Sequence, residues 1–266
     1  MKLKELTNYL ERIAPLRFQE NYDNAGLITG DPNMTLTGAV VALDATEEVV
    51  QDAIDQGANL VVAHHPIIFR GIKKFNTNHY VDRSVIKAIK NDIAIYAIHT
   101  NLDNVLQNGV NQKIAEKLNL ANVQVLRPHP STHMETSYQT GSGIIGELTA
   151  SKSGKQFIDY LKEKMDLNMV RHTKILDKEI RRIGVCGGAG SFLLNDAIQA
   201  GCDAYVTADF KYHEFFDANG ELVIADIGHY ESEFFTIELL VDLISKKFPN
   251  FAARYTNVIT NPVFYS

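Results

Sequence analysis

The chain of 266 residues has little cysteine. Cys186 and Cys202 form no C-x-x-C pair, so neither a disulfide framework nor a structural zinc knuckle is expected. It has no excess of basic charge either: 26 Lys and Arg stand against 32 Asp and Glu, a net of -6, which argues against a general nucleic-acid binder. No apolar run approaches the roughly 20 residues that cross a bilayer. The opening stretch MKLKELTNYLERIAPL carries charge throughout and reads as an amphipathic helix, not a secretion signal. These absences predict a soluble cytoplasmic protein without a membrane partner. What is present is apolar, 45% of the residues, enough for one large domain or two smaller ones.

Strand-like and helix-like runs alternate. GAVVALD (38–44), ANLVVAHH (58–65) and IAIYAIHT (93–100) read as strands. TEEVVQDAIDQG (46–57), with a threonine cap and a closing glycine, reads as a helix, as do 81–92, 108–120 and 154–167. Such alternation predicts an α/β fold with mostly parallel sheets. The region from 180 onward echoes the first. VALDATEEVVQDAIDQGANLVVAHH lies against VCGGAGSFLLNDAIQAGCDAYVTAD at a constant offset of 144, with Asp52, Ala53, Ile54, Gly57 and Val62 matching Asp196, Ala197, Ile198, Gly201 and Val206. Further on, His99 and Asp103 lie against His229 and Glu233 at an offset of 130. We therefore expect two related α/β halves, 1–122 and 180–266, an irregular middle segment 123–179 with one helix, and a metal site between the halves at the C-terminal ends of strands.

Those strand ends carry the candidate ligands. His64 and His65 close one strand, His99 another with Asp103 four residues on, and His229 follows a third with Glu233 four residues on. Positions i and i+4 share one helix face, and a carboxylate has two oxygens with which to bridge two cations. Imidazole with carboxylate suits zinc, iron or manganese. Two such ions about 3.5–4 Å apart would acidify a shared water, the logic of many hydrolases. Other signals are weaker. His79, His129, His133 and His172 read as surface residues, and His213 as surface or site rim. The run CGGAG (186–190) reads as a tight turn or a phosphate cradle, although it lacks the Walker lysine and the G-x-G-x-x-G spacing. NYDNAGLITGD (21–31), with Asp23 and Asn24, has the look of a site loop.

Taken together, YDNAGL, AHHPIIF, IHTNLDN, GVCGGAG, VTADFKYHEF and IGHYESE, in this order, resemble the GTP cyclohydrolase I type 2 family, also called the Nif-three or YbgI-like dinuclear metal proteins. The resemblance covers nearly the whole chain. It implies that His64, His65, Asp103, His229 and Glu233 hold two divalent ions, zinc, manganese or iron, with Glu233 bridging. His99 is not one of the family's usual ligands, and we expect it either behind the ligands, orienting them, or as a proton shuttle. The resemblance also implies a ring-shaped homohexamer, and the chain is too short for the inserted domain of longer members. The expected activity is metal-dependent hydrolysis of a nucleotide-like small molecule, GTP being one candidate. The alternative is a non-catalytic metal-binding ring that engages a protein or nucleic-acid partner.

Overall fold

Val, Ile and Ala runs with few polar breaks cannot face water on either side, and they become the strands of two sheets. The computed structural model describes residues 1–129 and 139–266. Its strands are β1 (Gly26–Thr29), β2 (Ala39–Asp44), β3 (Leu60–His65), β4 (Ala94–Ala97), β5 (Leu120–Pro128), β6 (Gly141–Lys152), β7 (Arg171–His172), β8 (Ile180–Ala189), β9 (Ala204–Ala208), β10 (Val223–Asp226) and β11 (Ala253–Tyr255). Its α-helices are α1 (Leu3–Ile13), α2 (Glu47–Asp55), α3 (Tyr80–Lys90), α4 (Thr100–Asp103), α5 (Val110–Lys117), α6 (Gly154–Met165), α7 (Leu194–Gln199), α8 (His229–Glu233) and α9 (Phe235–Lys247). The chain divides into two units, Met1–Leu102 with Thr236–Pro262, and Asp103–Phe235 with Val263–Ser266.

The first unit holds a sheet ordered β1-β4-β3-β2-β11. Its four inner and C-terminal strands are parallel, and β1 runs antiparallel at one edge. Val49, Val50 and Ala53 of α2 and Val85 and Ala88 of α3 pack with Val40, Ala42, Val61, Ala63 and Ile95 of the strands. Leu3, Leu6 and Leu10 of α1 are fully buried, each contributing about 1.5–3 kcal/mol of transfer free energy. Helix α2 begins where the Thr46 side chain accepts from the Val49 N–H, satisfying one of the orphan donors of the first turn.

The second unit holds a sheet ordered β5-β6-β8-β9-β10-β7. Strands β8, β9 and β10 are parallel; β6 is antiparallel to β8, β5 to β6 and β7 to β10, so four of the six strands point one way. Leu193, Leu194 and Ala197 pack on Tyr205 and Ile224 in its core. Each unit is thus α/β, with mostly parallel strands.

The internal echo is structural. Val41 pairs with Val62 in the first sheet, and Val185 with Val206 in the second; Ala39 with Leu60 is matched by Ile183 with Ala204. Every one of these residues shifts by 144. Gly57 and Gly201 both end their helix in the left-handed region, at φ 69° and 68°, where a side chain is disfavoured. The third strand differs. Leu60 pairs with Ala94, whereas Ala204 pairs with Val223, an offset of 129 and not 130. One residue is therefore inserted between β10 and His229.

The expected boundaries at 122 and 179 are not those of the units. Residues 120–128 and 141–152 form two long strands that pair with each other, the second also with β8, so most of the middle belongs to the second sheet. The chain after Phe235 returns to the first unit, where Ala253–Tyr255 pair parallel with Ala39–Val41.

Candidate metal centre

Strand β3 ends at His64 and His65, where the sheet no longer supplies neighbours on both sides. Alternation along a strand sends consecutive side chains to opposite faces, yet the chain leaves the sheet here and the two rings stay 4.9 Å apart. His99, just after β4, lies 5.3 Å from His64 and 5.4 Å from His65 by ring centroids. One nitrogen from each of the three lies within 4.8 Å of the others, a spacing suited to a cation.

Each ring is anchored at Nδ1. His64, fully buried, has Nδ1 2.8 Å from the Ile98 carbonyl oxygen. A carbonyl only accepts, so Nδ1 carries the proton and Nε2 keeps a lone pair. Nδ1 of His65 lies 2.8 Å from Asp44 Oδ1. Burial raises the Asp44 pKa, but the hydrogen bond from His65 and its charge outweigh that, and the Thr260 hydroxyl, donating at 2.6 Å, adds to the lowering. Nδ1 of His99 lies 2.8 Å from Asp23 Oδ1. The Asp23 side chain has no exposed surface. Burial raises its pKa, yet His99, the Thr100 hydroxyl and the Asn24 N–H hold it down at about 2. An ionised Asp23 holds the proton of His99 on Nδ1 and leaves the lone pair on Nε2.

The second unit repeats the device with the roles exchanged. His229 opens α8, with Nδ1 2.8 Å from Asp209 Oδ2 and Nε2 3.1 Å from Glu233 Oε2, the i+4 carboxylate on the same face. Burial lowers the His229 pKa, but the two carboxylates more than reverse this and raise it to about 11. His229 and Glu233 also stand in a group of side chains whose ligand atoms are spaced to hold a metal ion. Asp209 occupies the position of His65 in the repeat and takes a left-handed φ of 60°, which Asp tolerates better than most residues.

Glu233 is almost wholly buried, lodged against the glycine-rich end of β8. Gly188, at φ 63°, is the repeat counterpart of Asp44; a Cβ there would collide with Glu233 Oε1. The Gly188 N–H donates to Ser232 Oγ at 2.9 Å, and the Gly187 N–H to Asn111 Oδ1 at 3.0 Å. Asn111 in turn donates from Nδ2 to the Asp103 carbonyl at 3.1 Å. The run CGGAG is therefore neither a tight turn nor a phosphate cradle. It is strand through Ala189, and the N–H groups of Gly187 and Gly188 are spent within the protein. Glycine stands here because the Glu233 side chain takes the space. Burial and the charges of Asp103 and Glu233 push the nearby Cys186 thiol far up, so it stays neutral.

The expected site residues thus fall into two sets. His64, His65 and His99 meet in the first unit; His229 and Glu233 meet in the second, which also holds Asp103 at the end of α4. Three residues that orient the rings, Asp23, Asp44 and Asp209, had no assigned role in the ligand set. Two of them stand at or just past a strand end, at the close of GAVVALD and in VTADF, and this was their only sequence signal. His79 caps α3, accepting from the Val81 N–H, while His129, His172 and His213 are exposed. His133 lies outside the described residues.

Comparison with known proteins identifies the family and the fold. The family profile Duf34/NIF3 (NGG1p interacting factor 3) matches residues 1–262. A Clostridium perfringens protein named GTP cyclohydrolase 1 type 2 homolog is 35% identical over 88% of this chain and 87% of its own length. A Staphylococcus epidermidis protein of the same name is 27% identical, with both chains covered in full. The crystal structure of a Bacillus cereus protein related to NIF3 superposes with a TM-score of 0.90 at 26% identity, covering 100% of this chain and 99% of that one. The chain belongs to the Duf34/NIF3 family.

Proposed function

We propose that this protein is a metal-dependent hydrolase in which His64, His65, Asp103, His229 and Glu233 hold two divalent ions, zinc, manganese or iron, with Glu233 bridging. One observation carries the reading. Four strand-end imidazoles each present Nδ1 to an oxygen, from Ile98, Asp44, Asp23 and Asp209. This is how metal-binding histidines are oriented and made more basic. The donor set, neutral imidazole with carboxylate, fits these ions. Bound ions would supply Lewis acidity and a water that ionises near neutral pH.

The chain's own groups do the rest. His64 and His65 present the Nε2 lone pair in the tautomer that their Nδ1 hydrogen bonds fix. His99 accepts a proton at Nε2 and returns it, its tautomer held by Asp23. Glu233, buried beside Gly188, cannot swing into solvent and keeps its oxygens on the site. The substrate class is a nucleotide-like small molecule, and the name shared by the Clostridium and Staphylococcus relatives makes GTP the first to try. Formate release from GTP by protein loaded with manganese, iron or zinc tests that choice. No release with any of the three would remove GTP, and a phosphoester and amide panel would then test hydrolysis itself. Metal analysis tests the site separately. We expect about two equivalents per chain, and Glu233→Gln should lose at least one; a variant retaining both would refute the bridging role.

A second reading is favoured by the family description, which names an interacting factor. In it the protein is a non-catalytic homo-oligomer, a hexamer by resemblance, whose metals hold a surface for a protein partner. Loss of assembly on metal removal, with no turnover on any substrate, would favour it.

A further inference from the structure

A cavity of about 740 Å³ in the second unit contains none of the proposed metal ligands. Its volume falls within the roughly 300–1,000 Å³ of small-molecule sites. Its lining joins a basic stretch with an aromatic one. Arg171 and Lys174 come from β7 and the residues after it; Tyr212, Phe215 and Phe216 come from the 3-10 helix Tyr212–Ala218; Asn219 follows that helix.

The aromatic side is costly to leave in water. Tyr212 is 72% exposed and Phe216 68% exposed, and their rings meet edge to face with centroids 5.7 Å apart. Exposed rings meeting at this angle form a corner in which a planar base can stack face-on against one ring with its edge toward the other. The basic side is partly preorganised. The Arg171 guanidinium lies 5.0 Å from the Phe215 ring centre. It donates to Asp226 Oδ2 and to the Phe210 carbonyl, each at 3.0 Å, which commits part of its fork and holds its direction. The Lys174 ammonium makes no ion pair or hydrogen bond among the described residues. In a chain of net charge -6, two cations beside exposed rings are a local feature, not a general basic surface.

We infer that this cavity binds a mononucleotide. The base stacks on one of the Tyr212 and Phe216 rings with its edge against the other, the phosphate meets Lys174 and Arg171, and the Asn219 amide, able to donate and accept, reads a base edge. This site is distinct from the metal centre and stands whether or not the metal reading does.

Calorimetric titration with guanosine monophosphate, on the full chain in EDTA, tests it. Saturable binding tighter than millimolar is expected. Phe216→Ala and Lys174→Glu should each weaken it about tenfold, while Glu233→Gln should leave it within about twofold. Guanosine alone and inorganic phosphate alone should each bind more weakly than the nucleotide. Because both altered residues line the surface, the melting temperature should stay near that of the unaltered protein. Absence of saturable binding would overturn the inference. So would binding that Glu233→Gln abolishes and the cavity variants leave intact, since the nucleotide would then sit among the metal ligands. So would a Phe216→Ala protein with altered oligomeric state and unaltered affinity, which would show the rings covered by another copy of the chain.

Discussion

Residues 39–65 and 183–209 are one βαβ framework used twice: the strand pairings start in the same register, the second shifts between Val185 and Ala189 near the strand end, and equivalent positions there carry different chemistry. In the first, Asp44 orients His65 across neighbouring strands. In the second, the Asp44 position is Gly188 and the His65 position is Asp209, which orients a histidine from α8 instead. The helix shows the same divergence. Asp52 accepts from Thr256 Oγ1, the Asn257 N–H and Asn257 Nδ2 at 2.8–2.9 Å, fastening the returning C-terminal segment. Its identical counterpart Asp196 pairs with the half-exposed Arg127 of an edge strand. Backbone register is set by apolar packing and tolerates exchange of the side chains at its ends; what those side chains do depends on what is brought to them.

The largest expected effect sharpens that contrast at Asp52. Asp52→Ala should cost about 2–4 kcal/mol, because four donors lose a charged acceptor. Denaturant unfolding measures it. Burial raises the Asp52 pKa, but the hydrogen bonds from Asn257, Gln56 and Thr256 lower it overall. Its contribution is therefore full above the unfolded value of about 3.9 and fades as pH falls through the lower folded value. The gap between the two proteins should stay constant near neutrality and close in acid. A gap that persists undiminished at pH 2 would show that the carboxylate charge is not the cause.

The exchange of roles at the strand ends is tested next. Asp44→Asn and Asp209→Asn should each weaken metal binding about 10–100-fold, read by competition with a chromogenic chelator, with little change in melting temperature. Equal affinity in both variants and the unaltered protein would break the claim that these carboxylates orient ligands. Gly188→Ala comes third. The left-handed backbone alone costs about 1–2 kcal/mol, and the displaced Glu233 should lower bound metal in the same preparation. Asp196→Ala is the smallest, about 0–1 kcal/mol, because its partner is solvent-exposed. If it matched Asp52→Ala, the two helices would not differ as described.

Legibility in the sequence varied with distance along the chain. The span of α2 was readable from Thr46, Glu47, Glu48 and Gly57, all in or directly beside one helix. The histidines stand out because two adjacent rings interrupt an apolar strand. The pairing of β5 with β6 was not readable: Gly141, Ser142, Gly143 and Gly146 look like turn residues, yet in the sheet small residues admit close neighbours, as where Leu120 and Ala121 approach Gly146. The glycine-rich end of β8 misled in the same way, since a glycine placed to make room for Glu233 reads like one placed to make a turn. The offset of 130 between His99 and His229 was correct for those residues but hid the one-residue insertion, which only strand register exposes.

Periodicity and identity at fixed spacing by themselves determined the repeated βαβ unit and the placing of imidazoles and carboxylates near strand ends, because these are properties of neighbouring residues. Tertiary structure alone decided which oxygen holds each ring. Asp23 reaches His99 across 76 positions and Thr260 reaches Asp44 across 216. It also decided that residues 236–262 return to the first unit. Such contacts form only when burial brings distant segments together, and no local pattern of residue types encodes which segments those will be.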